Sequence, residues 1–276
     1  MKTRTLTALV LTLICIPVLL LSKYVVYPIF ISLISVVAIY EIMNCLGLSK
    51  RLTLLIPASF FAAAMPIITF FMGNEKIGSI AVICFVLSFL LMLYYFTLAV
   101  LARGELKFFS IAAAYVLINY LVISFTSLVA LRYVPAGAFT FVLVFIGAWS
   151  CDTFAYLFGS RFGKHKLIPE ISPKKSVEGS IAGIISAILV FMLYGFIISL
   201  TTELSVNYIT LAVSGLFVSI ISQIGDLIAS LVKRECGIKD YGKIFPGHGG
   251  VMDRFDSVLA VSMPLLLICL AFPPFS

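Results

Sequence analysis

Between Asp226 and Asp256 the chain carries four aspartates, one glutamate, one histidine and five lysines or arginines, in the run DLIASLVKRECGIKDYGKIFPGHGGVMDRFD. Neutralising anionic lipid headgroups would need only the bases, so the acids ask for a different chemistry. Asp253 and Asp256 are three apart and project from one face if a helix begins here, letting both carboxylates reach a single hard cation. With Asp226 added, three oxygen donors could hold Mg²⁺ and leave coordination positions for phosphate and water. Gly247, Gly249 and Gly250 let the backbone turn sharply or approach a ligand closely. His248 among them could bond a phosphate, act as a base or simply hold the turn. Arg254 points elsewhere on the same helix and could clamp phosphate, pair with an acid or anchor the inner face.

Two further stretches carry polar chemistry. Asp152 lies in GAWSCDTFAYLFGSRFG, inside an otherwise apolar run. An ionised carboxylate at membrane depth costs a few kcal/mol on insertion scales, roughly +2.5 to +3.5, so it needs a cation, a wet cavity, a proton or a neighbouring hydroxyl. Asp152 and Asp226 are therefore both candidate site residues, whereas Glu41, near the end of an earlier run, reads as a snorkelling interfacial carboxylate. The segment Ser172-Pro-Lys174-Lys175-Ser176-Val-Glu178-Gly179 supplies hydroxyls and two ammonium groups directly before an apolar helix. A helix entrance offers unpaired N–H groups and a positive dipole end that suit phosphate oxygens. Ser176 could equally be a plain N-cap, with Glu178 favouring the dipole.

The elements that must position these groups are membrane helices. The 276 residues are 62% hydrophobic and 11% charged with a mean hydropathy of +1.18, more apolar matter than a soluble core of this length could hide. Apolar runs near 6–22, 24–47, 52–72, 77–101, 108–131, 134–158, 179–201, 206–232 and 254–272 are each long enough to cross the hydrocarbon as a helix. The expected fold is an all-α, polytopic membrane bundle of about nine transmembrane helices; only Ser22 and Lys23 part the first two runs, so a count of eight stays open. Solidly apolar runs exclude a β-barrel, whose strands would alternate. The N-terminal run lacks a small-x-small cleavage site and leads straight into the next span, which speaks against a signal peptide. Six cysteines at unrelated spacings, with no C-x-x-C pair, read as small hydrophobes.

Nine spans from a cytoplasmic N-terminus leave only Lys23, Lys76 and Arg132 of the 19 basic residues outside, the split that the positive-inside rule demands. The net charge of +7 thus belongs to the cytoplasmic face and suits anionic headgroups or phosphorylated substrates; no nucleic-acid partner is expected. Residues 1–133 have short loops and few acids and read as scaffold, lipid contact or homodimer interface. Residues 134–276 carry the chemistry, in spans and in cytoplasmic loops 159–178 and 233–253. No internal repeat supports an inverted-repeat transporter.

Ser230 through Asp256 resembles the C-terminal signature of the CDP-diacylglycerol synthases, or phosphatidate cytidylyltransferases: S-x-x-K-R, four residues, K-D-x-G, then P-x-H-G-G-x-x-D-R-x-D. Ser230, Lys233, Arg234, Lys239, Asp240, Gly242, Pro246, His248, Gly249, Gly250, Asp253, Arg254 and Asp256 fill the fixed positions. The 172–179 stretch and the Asp152 span also look like this family, while the front half matches only as generic membrane helices.

The resemblance implies transfer of CMP from CTP to phosphatidic acid, with Mg²⁺ and room for a second cation. Asp226, Asp253 and Asp256 would then bind the metal, Asp152 completing or orienting its shell. Ser172, Lys174, Lys175, Lys239, His248 and Arg254 would hold the triphosphate and leaving pyrophosphate, and Lys233 with Arg234 the phosphatidate headgroup. Glu178 and Asp240 are expected among the substrate contacts. A cation-coupled transporter would use Asp152 and Asp226 but leave the SPKKS and HGG-x-x-D-R-x-D runs idle; a CTP-dependent lipid kinase would use similar contacts and attack the γ-phosphorus.

Overall fold

The computed structural model describes residues 17–73, 76–247 and 249–276. Among them, eight helices are long and apolar enough to span a bilayer. They are α1 (Val26–Cys45), α2 (Leu52–Met72), α3 (Ile77–Leu101), α4 (Phe108–Ala130), α5 (Val142–Phe162), α6 (Val177–Thr201), α7 (Tyr208–Glu235) and α8 (Met252–Ala271). A short turn of helix at Gly137–Thr140 leads into α5. Each coincides with an expected span to within about two turns, most of them much more closely. The expected span near 6–22 falls largely outside the described residues, as do Lys2, Arg4, Cys15 and His248. The protein is an all-α polytopic membrane protein: helices are the form in which a single segment satisfies its own backbone in lipid.

Two compact units divide the chain, one of residues 1–130 and 236–254, the other of 131–235 and 255–276. In the first, α1 packs on α2 and α4, and α3 on α2 and α4. Pro66 inside α2 has no N–H to give Ala62. The Ser35 hydroxyl of α1 donates to that carbonyl at 2.8 Å, and Ser32 donates to Ala63 at 2.8 Å. Tyr27 and Tyr95 likewise donate to the Leu128 and Leu54 carbonyls, at 3.0 and 2.6 Å. With no hydrophobic force between helices in lipid, such bonds and close packing hold the unit together.

In the second unit α6 packs on both α5 and α7. Glycine permits the α5–α6 approach: a Cβ on Gly179 would stand 2.6 Å from the Ala155 carbonyl oxygen and 2.9 Å from Gly159 Cα. Between these helices the chain makes a hairpin, β1 (Lys166–Ile168) antiparallel to β2 (Ser172–Ser176), with Lys166 opposite Ser176 and Ile168 opposite Ser172. The SPKKS run leads directly into α6, as expected, and does so as the strand β2, whose last residue, Ser176, immediately precedes Val177.

Candidate functional site

The hairpin decides what the 172–179 residues can do. Side chains alternate along a strand, so Lys174 and Lys175, equivalent on paper, part company. Lys174 is exposed, whereas Lys175 turns inward with 24% of its side chain accessible. Its Nζ lies 2.6 Å from Asp226 Oδ2 and 3.5 Å from the Gln223 carbonyl. Ser176 sits in extended backbone and accepts from Gly179 N–H at 3.2 Å, which makes it the N-cap of α6. The Glu178 carboxylate accepts from the Lys164 and His165 backbone N–H groups at 3.1 and 3.3 Å and meets His165 Nδ1 at 2.6 Å. It ties the start of the loop to the start of the helix. Ser172 is half-buried at the head of β2.

Asp226 on α7 is 29% accessible and accepts a long 3.5 Å hydrogen bond from Ser230 one turn later. Gly225 beside it faces Ala260 of α8 so closely that a Cβ would collide there, and the Asp256 carbonyl lies 3.3 Å from that position. This contact brings Asp256 into the field of Asp226 and of Asp152 from α5. Asp152 in turn interacts with Asp226 and Lys175 and lies beside the Ser257 hydroxyl. Asp256 accepts from Ser257 N–H at 2.8 Å and interacts with Lys233. Three half-buried carboxylates thus share one region with the Lys175 and Lys233 ammonium groups. Among the described residues, no three acid, thiol or imidazole groups already close around a single point as metal ligands.

The 236–254 segment is built differently. Asp253 Oδ2 accepts from Tyr241 N–H at 2.7 Å and Gly250 N–H at 2.9 Å, closing the loop onto the first turn of α8. Phe245 N–H donates to the Gly249 carbonyl at 2.9 Å, and positive φ values of 76° and 86° at Gly247 and Gly249 make the tight reversal between them.

Glu41 overturns the expectation of a snorkelling surface acid. It is 2% accessible and accepts from the backbone N–H groups of Val251 at 3.0 Å and Met252 at 2.9 Å. These are orphan donors at the start of α8, which a buried anion satisfies better than water could. A Cβ on either Gly242 or Gly250 would run into the Glu41 carboxylate, so the K-D-x-G and H-G-G glycines make room for it. The cost argument that singled out Asp152 and Asp226 would also have found Glu41, had its place near a span end not suggested an easy route to water.

A cavity of about 530 Å³ lies beside these residues, walled by the last turns of α1 at Tyr40, Asn44 and Cys45 and by the loop at Lys239, Asp240 and Lys243. The Cys45 thiol at its wall lies near that of Cys236. Lys239, Asp240, Lys243, Arg234 and Arg254 are exposed.

The sequence profile of the cytidylyltransferase family matches residues 2–272. The phosphatidate cytidylyltransferase of Staphylococcus haemolyticus is 35% identical over 276 residues, covering 98% of this chain and 99% of that protein. Those of Staphylococcus epidermidis and Staphylococcus aureus are 37% identical over 280 residues and 34% over 275, again with 98% and 99% of the two chains covered.

Proposed function

The chain belongs to the cytidylyltransferase family, and we propose that it transfers CMP from CTP to phosphatidic acid, releasing pyrophosphate and forming CDP-diacylglycerol. The observation that carries this reading is similarity over nearly the whole chain to proteins named for that activity. The clustering of Asp152, Asp226 and Asp256 with the Lys175 and Lys233 ammonium groups lends it a chemical rationale.

The phosphatidate oxygen attacks the α-phosphorus of CTP, and the bond to the β-phosphate breaks. That oxygen is already anionic near neutral pH, so the protein must position it and relieve charge repulsion; a strong base is not required. Asp226 and Asp256, with Asp253 one turn before Asp256 on the same helix, are proposed to hold Mg²⁺, and Asp152 to orient them or complete the shell. The donor set fits that ion: hard carboxylate oxygens whose mutual repulsion calls for more positive charge than the nearby ammonium groups supply. Bound there, Mg²⁺ with room for a second cation would withdraw charge from the phosphates.

Lys175, paired with Asp226 at 2.6 Å, would be free to hold a phosphate oxygen if that carboxylate served as a Mg²⁺ ligand. Lys174, Lys239 and Arg254 are exposed and suit the triphosphate; Ser172 and His248 are proposed to assist them. Lys233 and Arg234, in the last turn of α7, suit the phosphatidate headgroup. We assign Glu178 to holding the loop, through the bonds that already occupy it. The basic loops support an active site facing the cytoplasm, where CTP is at hand and the lipid arrives laterally. The helices of residues 1–133 are a candidate homodimer surface.

Purified protein with α-labelled CTP, phosphatidate and Mg²⁺ tests the reading. Label in the lipid is the expected result. Label in CDP alongside a newly phosphorylated lipid would indicate a kinase, and neither product together with cation flux would indicate a transporter.

A further inference from the structure

We propose that the cavity between the end of α1 and the loop at 238–244 receives the cytidine end of the nucleotide and reads its base; this rests on the CMP-transfer reading above. Its volume of about 530 Å³ is in the range of small-molecule sites, and its walls combine apolar side chains with a few polar groups, the usual makeup of such sites. Tyr40 and Asn44, four residues apart on α1, share one face of the helix, so both line the same wall.

The polar groups match a pyrimidine with an exocyclic amine. Tyr40 is 51% exposed and offers a ring face for stacking. Asn44 Oδ1 accepts from Ser49 Oγ at 3.0 Å, and no bond among the described residues engages its amide nitrogen. That nitrogen can donate to the O2 or N3 acceptors of cytosine. Asp240 and the two lysines on either side of it make no ion pair among the described residues. The Asp240 carboxylate is an acceptor for the N4 amine, the pairing by which acidic side chains select cytosine in nucleic acids. Uracil presents a carbonyl at that position, and two acceptors would then face each other. Lys239 and Lys243 remain to lead the phosphates away from the base.

The floor of the cavity explains why the wall can be held still. Glu41 lies between Tyr40 and Asn44 in sequence and is bound to the Val251 and Met252 amides, so α1 and the loop are fixed to each other beneath the proposed base. Nucleotide recognition would then begin in residues of the front half, which otherwise resemble generic membrane helices.

The test measures CTP and UTP binding to the full-length protein in detergent with Mg²⁺ by calorimetry, and turnover in mixed micelles. Asn44→Ala and Tyr40→Leu are expected to raise the CTP dissociation constant about tenfold, the effect of losing roughly one hydrogen bond or stacking contact, with the phosphatidate KM within about twofold of wild type. Asp240→Asn is expected to narrow the preference for CTP over UTP by about tenfold or more. Variants that bind CTP as wild type does and keep its preference overturn the proposal, as does a loss that falls on phosphatidate instead. Tyr40→Leu, at an exposed position, carries the test if Asn44→Ala lowers stability. Binding needs no turnover, so the two readings part cleanly. CTP binding that these variants lose, in a protein making no CDP-diacylglycerol, keeps the cavity and removes the reaction. CMP transfer with undisturbed CTP binding does the reverse, and wild-type protein that binds no CTP overturns both.

Discussion

The Glu41 carboxylate accepts a 2.9 Å hydrogen bond from the backbone N–H of Met252, 211 residues later in the chain. A side chain near the end of one transmembrane helix thereby caps the beginning of another and sets the loop that precedes it. Two consequences for stability and activity can be measured.

Glu41→Ala leaves the Val251 and Met252 amides buried without their acceptor. Hydrogen bonds to charged groups contribute about 1.5–3 kcal/mol each, so a destabilisation of roughly 2–4 kcal/mol is expected after relaxation, together with a large loss of turnover. Glu41→Gln keeps one acceptor oxygen and should lie between alanine and wild type in a thermal melt. Equal melting temperatures for all three proteins would show that the cap contributes nothing.

Lys175 neutralises Asp226 through a 2.6 Å ion pair while Asp152 and Asp256 stand nearby. On the proposed assignment of Mg²⁺ to Asp226, Lys175→Met would remove a cation that competes for the same carboxylate. The expected outcome is a split: turnover falls about a hundredfold or more, while the Mg²⁺ concentration needed for half-maximal binding, followed with Mn²⁺ as a spectroscopic stand-in, falls several-fold. Loss of turnover with weaker metal binding would assign Lys175 a different job.

Asp256→Asn takes one charge out of a group of three mutually repelling carboxylates. In chelator, the folded protein should be as stable as wild type or more so, because the repulsion is relieved. Its Mg²⁺-dependent stabilisation and its turnover should both be lost. Near-normal activity would remove Asp256 from the metal shell. Asp253→Asn provides a contrast, since Asp253 already accepts from Tyr241 and Gly250, and its replacement should also lower stability without metal.

Gly179→Val places side-chain atoms where Ala155 and Gly159 of α5 already stand. Overpacking of this kind costs about 1–3 kcal/mol. Parting α5 from α6 would also move Lys175, four residues earlier, off Asp226, so activity should fall more than the melting temperature alone would suggest. The reverse pattern, a lower melting temperature with full activity, would separate the helix crossing from the site.

The eight spans from α1 to α8 were legible because hydrophobic length is a local property. Lys50 and Arg51 before α2 and the Gly73 break after it bound a run that leaves few alternatives to a helix of that length. Asp152 and Asp226 were legible as candidates for a related reason, because a carboxylate in an apolar run is costly wherever the chain goes, and Asp256 through its three-residue spacing from Asp253. The different fates of Lys174 and Lys175 were not. Both are basic and adjacent, and which one turns inward depends on the pairing of β2 with β1. Glu41 misled because its acceptor role depends on amides more than two hundred residues away.

Composition and the length of its apolar runs bound the chain to be helical and to live in lipid, where every rare polar residue needs a partner because water is absent. Folding in three dimensions settled which polar groups meet: Lys175 with Asp226, Asp152 with both Asp226 and Asp256, Glu41 with the amides that open the last helix. Those pairings depend on directions and distances between remote segments, and the close approach at Gly225 and Gly179 that permits them exists only once neighbouring helices have packed.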